Sequence, residues 1–322
     1  MSIDVEESIR ANPLDGVVLL SGCDKTTPAM LMGAASANIP SILVTSGPQL
    51  NGRWKTEPLG ACTDCRRYEA EFKAGQINQE DWKEIQNSIL RSPGHCMVMG
   101  TASTMACISE ILGMSLPGNG TIPAVDSRRH QLAEQSGFQI VKLVSENMTP
   151  SKIMTDKAFE NSIIGLHALG GSTNAIIHLT AIAGRLSINL PLNLFDDFSK
   201  TTPVITNLKP SGQFLMEDFH YAGGMQAVIK EINHLLNSEE QGVSGLKISE
   251  LASLARNDDG NVIKSVNNPI YPEGGLAVLK GSLAPEGAVI KHSAASSHLL
   301  NHTGKAIVFN DCLLYTSPSP RD

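Results

Sequence analysis

The stretch "GVVLLSGCDKTTPAMLMG", Gly16 to Gly33, decides how the chain folds. "GVVLL" is a continuous apolar run of strand length that stops at a serine and a glycine. Past a polar turn, Pro28 sits near the start of an alanine-rich apolar helix, "AMLMGAASAN", and "SILVTSG" follows as a second strand. Uninterrupted apolar strands separated by a helix predict a parallel sheet with helices packed on it. Cys23, Asp24 and Lys25 then fall at the carboxyl end of the first strand, where ligands gather in such sheets.

Those three residues form an unusual donor set. A thiolate suits iron in a cluster, or zinc. A carboxylate suits magnesium. An amine joins a hard-metal site only after losing its charge, for example as a carbamate formed with carbon dioxide. Taken alone, the triplet reads more readily as a polar turn behind a buried cysteine than as a metal site.

The rest of the chain sets bounds. Its 322 residues are 41% hydrophobic and 18% charged, an ordinary globular composition, with 28 glycines and only 4% aromatics. A formal net charge of −7 argues against nucleic acid as the main partner. No apolar run approaches the roughly 20 residues needed to span a bilayer, so no membrane partner is expected. The acidic start, "MSIDVEESIRANP", does not read as a secretory signal. Six scattered cysteines (Cys23, Cys62, Cys65, Cys96, Cys107 and Cys312) point to thiols or metal ligands in a reducing, cytoplasmic setting rather than a disulfide scaffold.

Along the chain, Val5 to Asn12 predicts a short helix. "NGRWKTEPLGACTDCRRY" reads as an exposed loop and "QEDWKEIQNSIL" as a helix. "SPGHCMVMGTASTMACISEILGM" is a glycine loop entering a helix, with Thr101 or Ser103 as its cap. "TPSKIMTDKAFENSIIGLHAL" and "STNAIIHLTAIAGRL" are two more helices joined by Gly170 and Gly171, and Asn237 to Gly245 is a polar loop. From about Gly274 the texture becomes short strands, "GGLAVLKGSLAPEGAVIKHSA" and "GKAIVF", spaced by Gly and Pro turns. The expected class is α/β: a parallel sheet flanked by helices, then the opening of a truncated, β-rich, barrel-like domain. The expected divisions are 1–265, 266–311 and a non-native-looking tail over 312–322.

Three further features bear on chemistry. Cys96 stands in a second glycine loop, so two cysteines can converge at one end of the sheet. "CTDC", Cys62 to Cys65, is a CxxC that fits a redox or zinc pair, although no second pair accompanies it. In "ALGGSTNAIIHL", Ser172, Thr173 and Asn174 open a helix, with His178 one turn on. That arrangement fits either carboxylate binding or a capped helix with a core histidine. Cys107 reads as packing. Nucleotide-loop, serine-hydrolase and metalloprotease motifs are missing from the sequence.

Together these blocks resemble the dihydroxy-acid and sugar-acid dehydratase family. The resemblance runs from Asp4 to about Phe309 and is carried by "DGVVLLSGCDKTTPAMLMGAA", "GHCMVMGTASTMACISEILGMSLPGNGTIPAVDSRR", "ALGGSTNAIIHLTAIA", "PSGQFLMEDFHYAGG" and "NPIYPEGGLAVLKGSLAPEGAVIK". The wording looks closer to the arabinonate-type members than to the branched-chain dihydroxy-acid dehydratases. The resemblance implies a hydro-lyase that converts a 2,3-dihydroxy carboxylate to a 2-keto-3-deoxy acid. It implies that Cys23 and Cys96 hold an iron-sulfur cluster (2Fe-2S or 4Fe-4S), while Asp24 and a carbamylated Lys25 hold Mg2+. Ser172, Thr173, Asn174 and His178 are the expected substrate contacts. The partner is a small hydroxy acid, and a homo-oligomer is expected of the full-length protein.

The family pattern also carries a further cluster cysteine, two magnesium-binding glutamates and the serine base. None of these has a counterpart in the 322 residues. The expectation is a central fragment with part of a site and no turnover alone. A non-catalytic remnant of the fold, and a zinc or thiol enzyme built on Cys62 and Cys65, are the competing readings.

Overall fold

The computed structural model describes residues 1–61, 63–305 and 307–308. In chain order it contains α1 (Ser2–Arg10), β1 (Val17–Ser21), α2 (Thr26–Ala37), β2 (Ser41–Thr45), β3 (Gly52–Trp54), β4 (Glu57–Leu59), α3 (Thr63–Lys73), α4 (Gln79–Ile89) and α5 (Thr101–Ile111). There follow α6 (Ser127–Ser145), the one-turn α7 (Pro150–Ile153), α8 (Asp156–Ala168), α9 (Asn174–Gly184), α10 (Leu192–Thr201), α11 (Met216–Tyr221), α12 (Gly224–Glu231) and α13 (Ile248–Leu254). The hairpin β5 (Ala277–Gly281) and β6 (Ala284–Ile290) comes last.

β1 and β2 pair in parallel, from Val17 opposite Ser41 to Ser21 opposite Thr45, with α2 as the crossover. Every residue of β2 is buried. β1 is covered on one face only: Leu19 is buried, but Leu20 is 69% exposed. The expected parallel sheet is therefore just this pair among the described residues, and the protein around it is mainly helical. α2 ends at Asn38, whose left-handed backbone (φ 53°) closes the helix by bonding to the Ala34 carbonyl.

The main core gathers Leu31 and Ala34 of α2, Ile42 and Leu43 of β2, Met105 and Ile108 of α5, Phe159 of α8 and Leu179 of α9. Each fully buried large side chain contributes about 1.5–3 kcal/mol. Four helices and the strand pair are thereby fixed around one point.

Several expectations need correction. The stretch expected as an exposed loop contains the antiparallel hairpin β3–β4 and the start of α3. Its order comes from a small apolar core of Leu59, Tyr68, Ile85, Ile89 and Met97, with Trp54 edge-on to Tyr68 at 5.4 Å. Neither Thr101 nor Ser103 caps α5. Gly100 occupies the cap without a side-chain bond, and both hydroxyls serve other partners. Among the described residues of "GKAIVF" there is no strand, and Ile307 and Val308 are exposed. The β-rich texture after Gly274 amounts to the single hairpin β5–β6 among the described residues. The tail from 312 lies outside them. No helix of the described residues is long and apolar enough to cross a membrane.

Candidate functional site

The two threonines of "CDKTTP" explain why the loop after β1 holds its shape. Thr26 Oγ1 accepts the Gly22 and Cys23 N–H groups at 3.2 and 2.9 Å and donates to the Cys23 carbonyl at 3.0 Å. Thr27 Oγ1 donates to the same carbonyl at 3.3 Å and pairs with Ser21 Oγ at 2.9 Å. Hydroxyl-to-backbone bonds of this kind substitute for regular pairing in a tight turn. They leave the side chains of Cys23, Asp24 and Lys25 directed outward: Cys23 is exposed, and Asp24 and Lys25 are 42% and 62% exposed.

Cys96 arrives by a second loop laid beside the first. The His95 N–H donates to the Gly47 carbonyl at 2.9 Å, and the Gln49 N–H donates to the His95 carbonyl at 2.8 Å. Ser103 Oγ then bonds the Cys96 and Val98 carbonyls at 3.1 and 2.8 Å, pinning the loop to α5. Burial drives the His95 pKa down to about 4, so its imidazole is neutral at pH 7.

Both loops open onto one cleft of about 690 Å³, lined by Cys23, Asp24, Thr63, Arg66, Cys96 and Thr101 among others. Two residues expected to be soft ligands and one expected to be hard thus share a wall. Lys25 lies beside Asp24, with Nζ 3.9 Å from its carboxylate, and 3.5 Å from His178 Nε2. The pKa of His178 is lowered first by burial and then by the charge of Lys25, against the opposing effect of Asp24.

The "GGSTN" turn reaches the same cleft through Thr101. Ser172 Oγ is 2.8 Å from Thr101 Oγ1, and Asn174 Nδ2 donates to Thr101 Oγ1 at 3.0 Å. The Ser172 N–H donates to Thr104 Oγ1 at 3.1 Å. Thr173 precedes α9 without making a cap bond. Gly170 has φ +53°, a left-handed backbone that favours glycine, and a Cβ on Gly171 would lie 2.6 Å from Leu166 Cδ1 and 2.8 Å from Thr104 Cγ2, so a side chain there would have to displace them. From the far end of the chain, Lys291 Nζ donates to the Gly170 carbonyl at 2.6 Å, and burial lowers its pKa to about 8.

Other cysteines stand apart from this wall. Cys107 is fully buried in a second apolar cluster, as packing requires, and Cys65 packs against the small core that contains Leu59 and Tyr68. Cys62 and Cys312 lie outside the described residues. No group of three or more His, Cys, Asp or Glu side chains able to hold a metal occurs among the described residues. The donors present fit the expected cofactors in kind: two thiols for a cluster, and a carboxylate with a lysine for a hard cation. They supply part of a ligand set.

Sequence reasoning missed Thr101 as the hub of the hydroxyl network, having read it as a helix cap. It also passed over Arg66 and Lys291. The doubled arginine after "CTDC" was the available signal for Arg66; Lys291 left none, because burial is a tertiary property.

The family model described as "Dihydroxy-acid/6-phosphogluconate dehydratase N-terminal" matches residues 1–251, and its C-terminal counterpart matches residues 261–316. The L-arabinonate dehydratase of Rhizobium leguminosarum bv. trifolii (strain WSM2304) is 49% identical over 312 residues, covering 96% of this chain and 54% of that protein. The L-arabonate dehydratase of Azospirillum brasilense is 48% identical over 313 residues, with the same coverage. The dihydroxy-acid dehydratase of Thermodesulfovibrio yellowstonii (strain ATCC 51303 / DSM 11347 / YP87) is 44% identical over 306 residues, covering 95% of this chain and 56% of that protein. The chain spans about half the length of these curated relatives. It belongs to the dihydroxy-acid/6-phosphogluconate dehydratase family.

Proposed function

We propose that this chain is the cofactor-binding part of a hydro-lyase that removes water from a sugar acid to give a 2-keto-3-deoxy acid. The observation that carries the reading is the convergence of Cys23, Asp24 and Cys96, from two separate loops, on one cleft. In this reading residues 1–265 hold the cofactors and residue 266 begins a second, β-rich unit. Cys23 and Cys96 would hold an iron-sulfur cluster; Asp24 and Lys25, the latter as its carbamate, would hold Mg2+. Bound there, these groups supply Lewis acidity for a departing hydroxyl and for the carbon acid beside the carboxylate.

The chain's own residues provide positioning. The bonds from Thr26 and Thr27 hold Cys23, Asp24 and Lys25 in one rigid turn. Rigid placement lets donors act without reorganising during reaction. Ser172, Thr101 and Asn174 present a neutral hydroxyl and amide network suited to a substrate carboxylate or hydroxyl. His178 sits beside Lys25, where a neutral imidazole can accept a proton or a hydrogen bond. The 49% identity to a protein named L-arabinonate dehydratase favours a sugar acid over a branched-chain dihydroxy acid.

The test grafts residues 1–308 into the matching segment of that relative, reconstitutes the product anaerobically with iron, sulfide and Mg2+, and supplies L-arabinonate. Formation of a semicarbazide-reactive 2-keto acid, lost in the Asp24→Asn graft, is the expected result. A folded, iron-loaded graft with no such product from a panel of sugar acids would overturn the reading.

A further inference from the structure

Arg66 is the one cation on the cleft wall that the chain's own carboxylates leave unmatched among the described residues. Several other cations of the chain are paired. Arg67 bonds Glu57 at 3.3 Å and Asp64 at 3.4 Å, Lys209 bonds Asp64 at 2.8 Å, and Lys55 bonds Asp81 at 3.4 Å. Asp24, on the same wall, has Lys25 as its nearest cation. Arg66 is exposed and lines the cleft with Cys23, Asp24, Cys96, Thr63 and Thr101. It also stands in the first turn of α3, where the helix dipole disfavours a positive charge. Neither ion pairing nor the helix accounts for a guanidinium there.

A guanidinium offers a planar fork of donors that suits carboxylate, phosphate and sulfonate oxygens. We infer that Arg66, with the Thr63 hydroxyl beside it, is a specificity-determining residue that binds a second anionic group on the substrate. That group lies apart from the carboxylate next to the reacting diol. The inference rests on the dehydratase reading and sharpens it: the favoured substrates are sugar acids with a charged group at each end.

The test is calorimetric titration of the full 322-residue chain in Mg2+ with L-arabinonate, galactarate and 6-phosphogluconate. It is repeated for Arg66→Gln, Arg66→Lys and Asp24→Asn, each checked for an unchanged melting temperature. The doubly charged acids are expected to bind at least about tenfold more tightly than L-arabinonate, the worth of one charged hydrogen-bonded contact. Arg66→Gln should abolish that advantage while leaving L-arabinonate within about twofold, and Arg66→Lys should restore part of it. Galactarate against 6-phosphogluconate separates a carboxylate from a phosphate as the bound group. Equal binding of all three acids by the parent chain, or an advantage that survives Arg66→Gln, overturns the assignment. If Asp24→Asn still weakens every acid in that case, the dehydratase reading stands without it. If no sugar acid binds at all, both fall.

Discussion

Lys25 Nζ lies 3.5 Å from Nε2 of His178, joining the turn after β1 to the middle of α9. The pair connects two motifs that are far apart in the sequence. If they act as one unit on a bound sugar acid, Lys25→Met and His178→Gln should each weaken Mg2+-dependent binding of L-arabinonate about tenfold. The double variant should be no weaker than the weaker single one, as expected for coupled residues. Additive losses in a calorimetric cycle would show two independent contacts.

Thr101 is the hub between Ser172 and Asn174. Thr101→Val keeps the shape and removes the hydroxyl, so it should cost about 1 kcal/mol of stability. It should also reduce sugar-acid binding. Urea unfolding at pH 7 with parallel calorimetry measures both, and unchanged binding would remove the network from the site.

Gly171 admits no side chain without a shift. A methyl group there meets Leu166 Cδ1 at 2.6 Å and displaces Thr104, whose hydroxyl accepts the Ser172 N–H. Gly171→Ala should therefore destabilise the chain by about 1–3 kcal/mol, as overpacking does. It should also speed hydrogen exchange at Ser172, which mass spectrometry can follow.

Much of this was legible in the sequence, for stated reasons. β1, α2 and β2 follow from apolar runs broken by "SGCDKTTP", and that break placed Cys23, Asp24 and Lys25 at a strand end. The hairpin β3–β4 was not legible, because its order depends on Trp54 meeting Tyr68 across a turn and a helix. Thr101 looked like a cap because local sequence cannot show that Ser172, from the turn before α9, lies 2.8 Å away. The extent of the sheet was overestimated for a related reason: "GVVLL" looks covered on both faces, yet Leu20 faces outward.

His167 tests how burial sets charge in the core. It is 1% exposed, its Nε2 lies 2.8 Å from the Phe195 carbonyl, and burial lowers its pKa from 6.5 to about 4. The folded chain therefore binds fewer protons than the unfolded chain between those values, and stability rises with pH across the window. The contribution is fully present above pH 6.5 and is lost as pH falls toward 4. It amounts to on the order of 3 kcal/mol over the window. Unfolding free energies of the parent chain and His167→Gln should differ by a pH-dependent amount in that range only. A constant difference would mean that His167 is protonated in the fold.

The most direct measurement is anaerobic reconstitution of the chain with iron and sulfide, followed by metal analysis and visible absorption. Cys23 and Cys96 share one cleft wall while Cys107 is buried in packing. A cluster chromophore should therefore form in the parent chain and in Cys107→Ala, and disappear in both Cys23→Ala and Cys96→Ala. A chromophore that survives either of those two substitutions, or that depends on Cys65 instead, would contradict the assignment of this cleft.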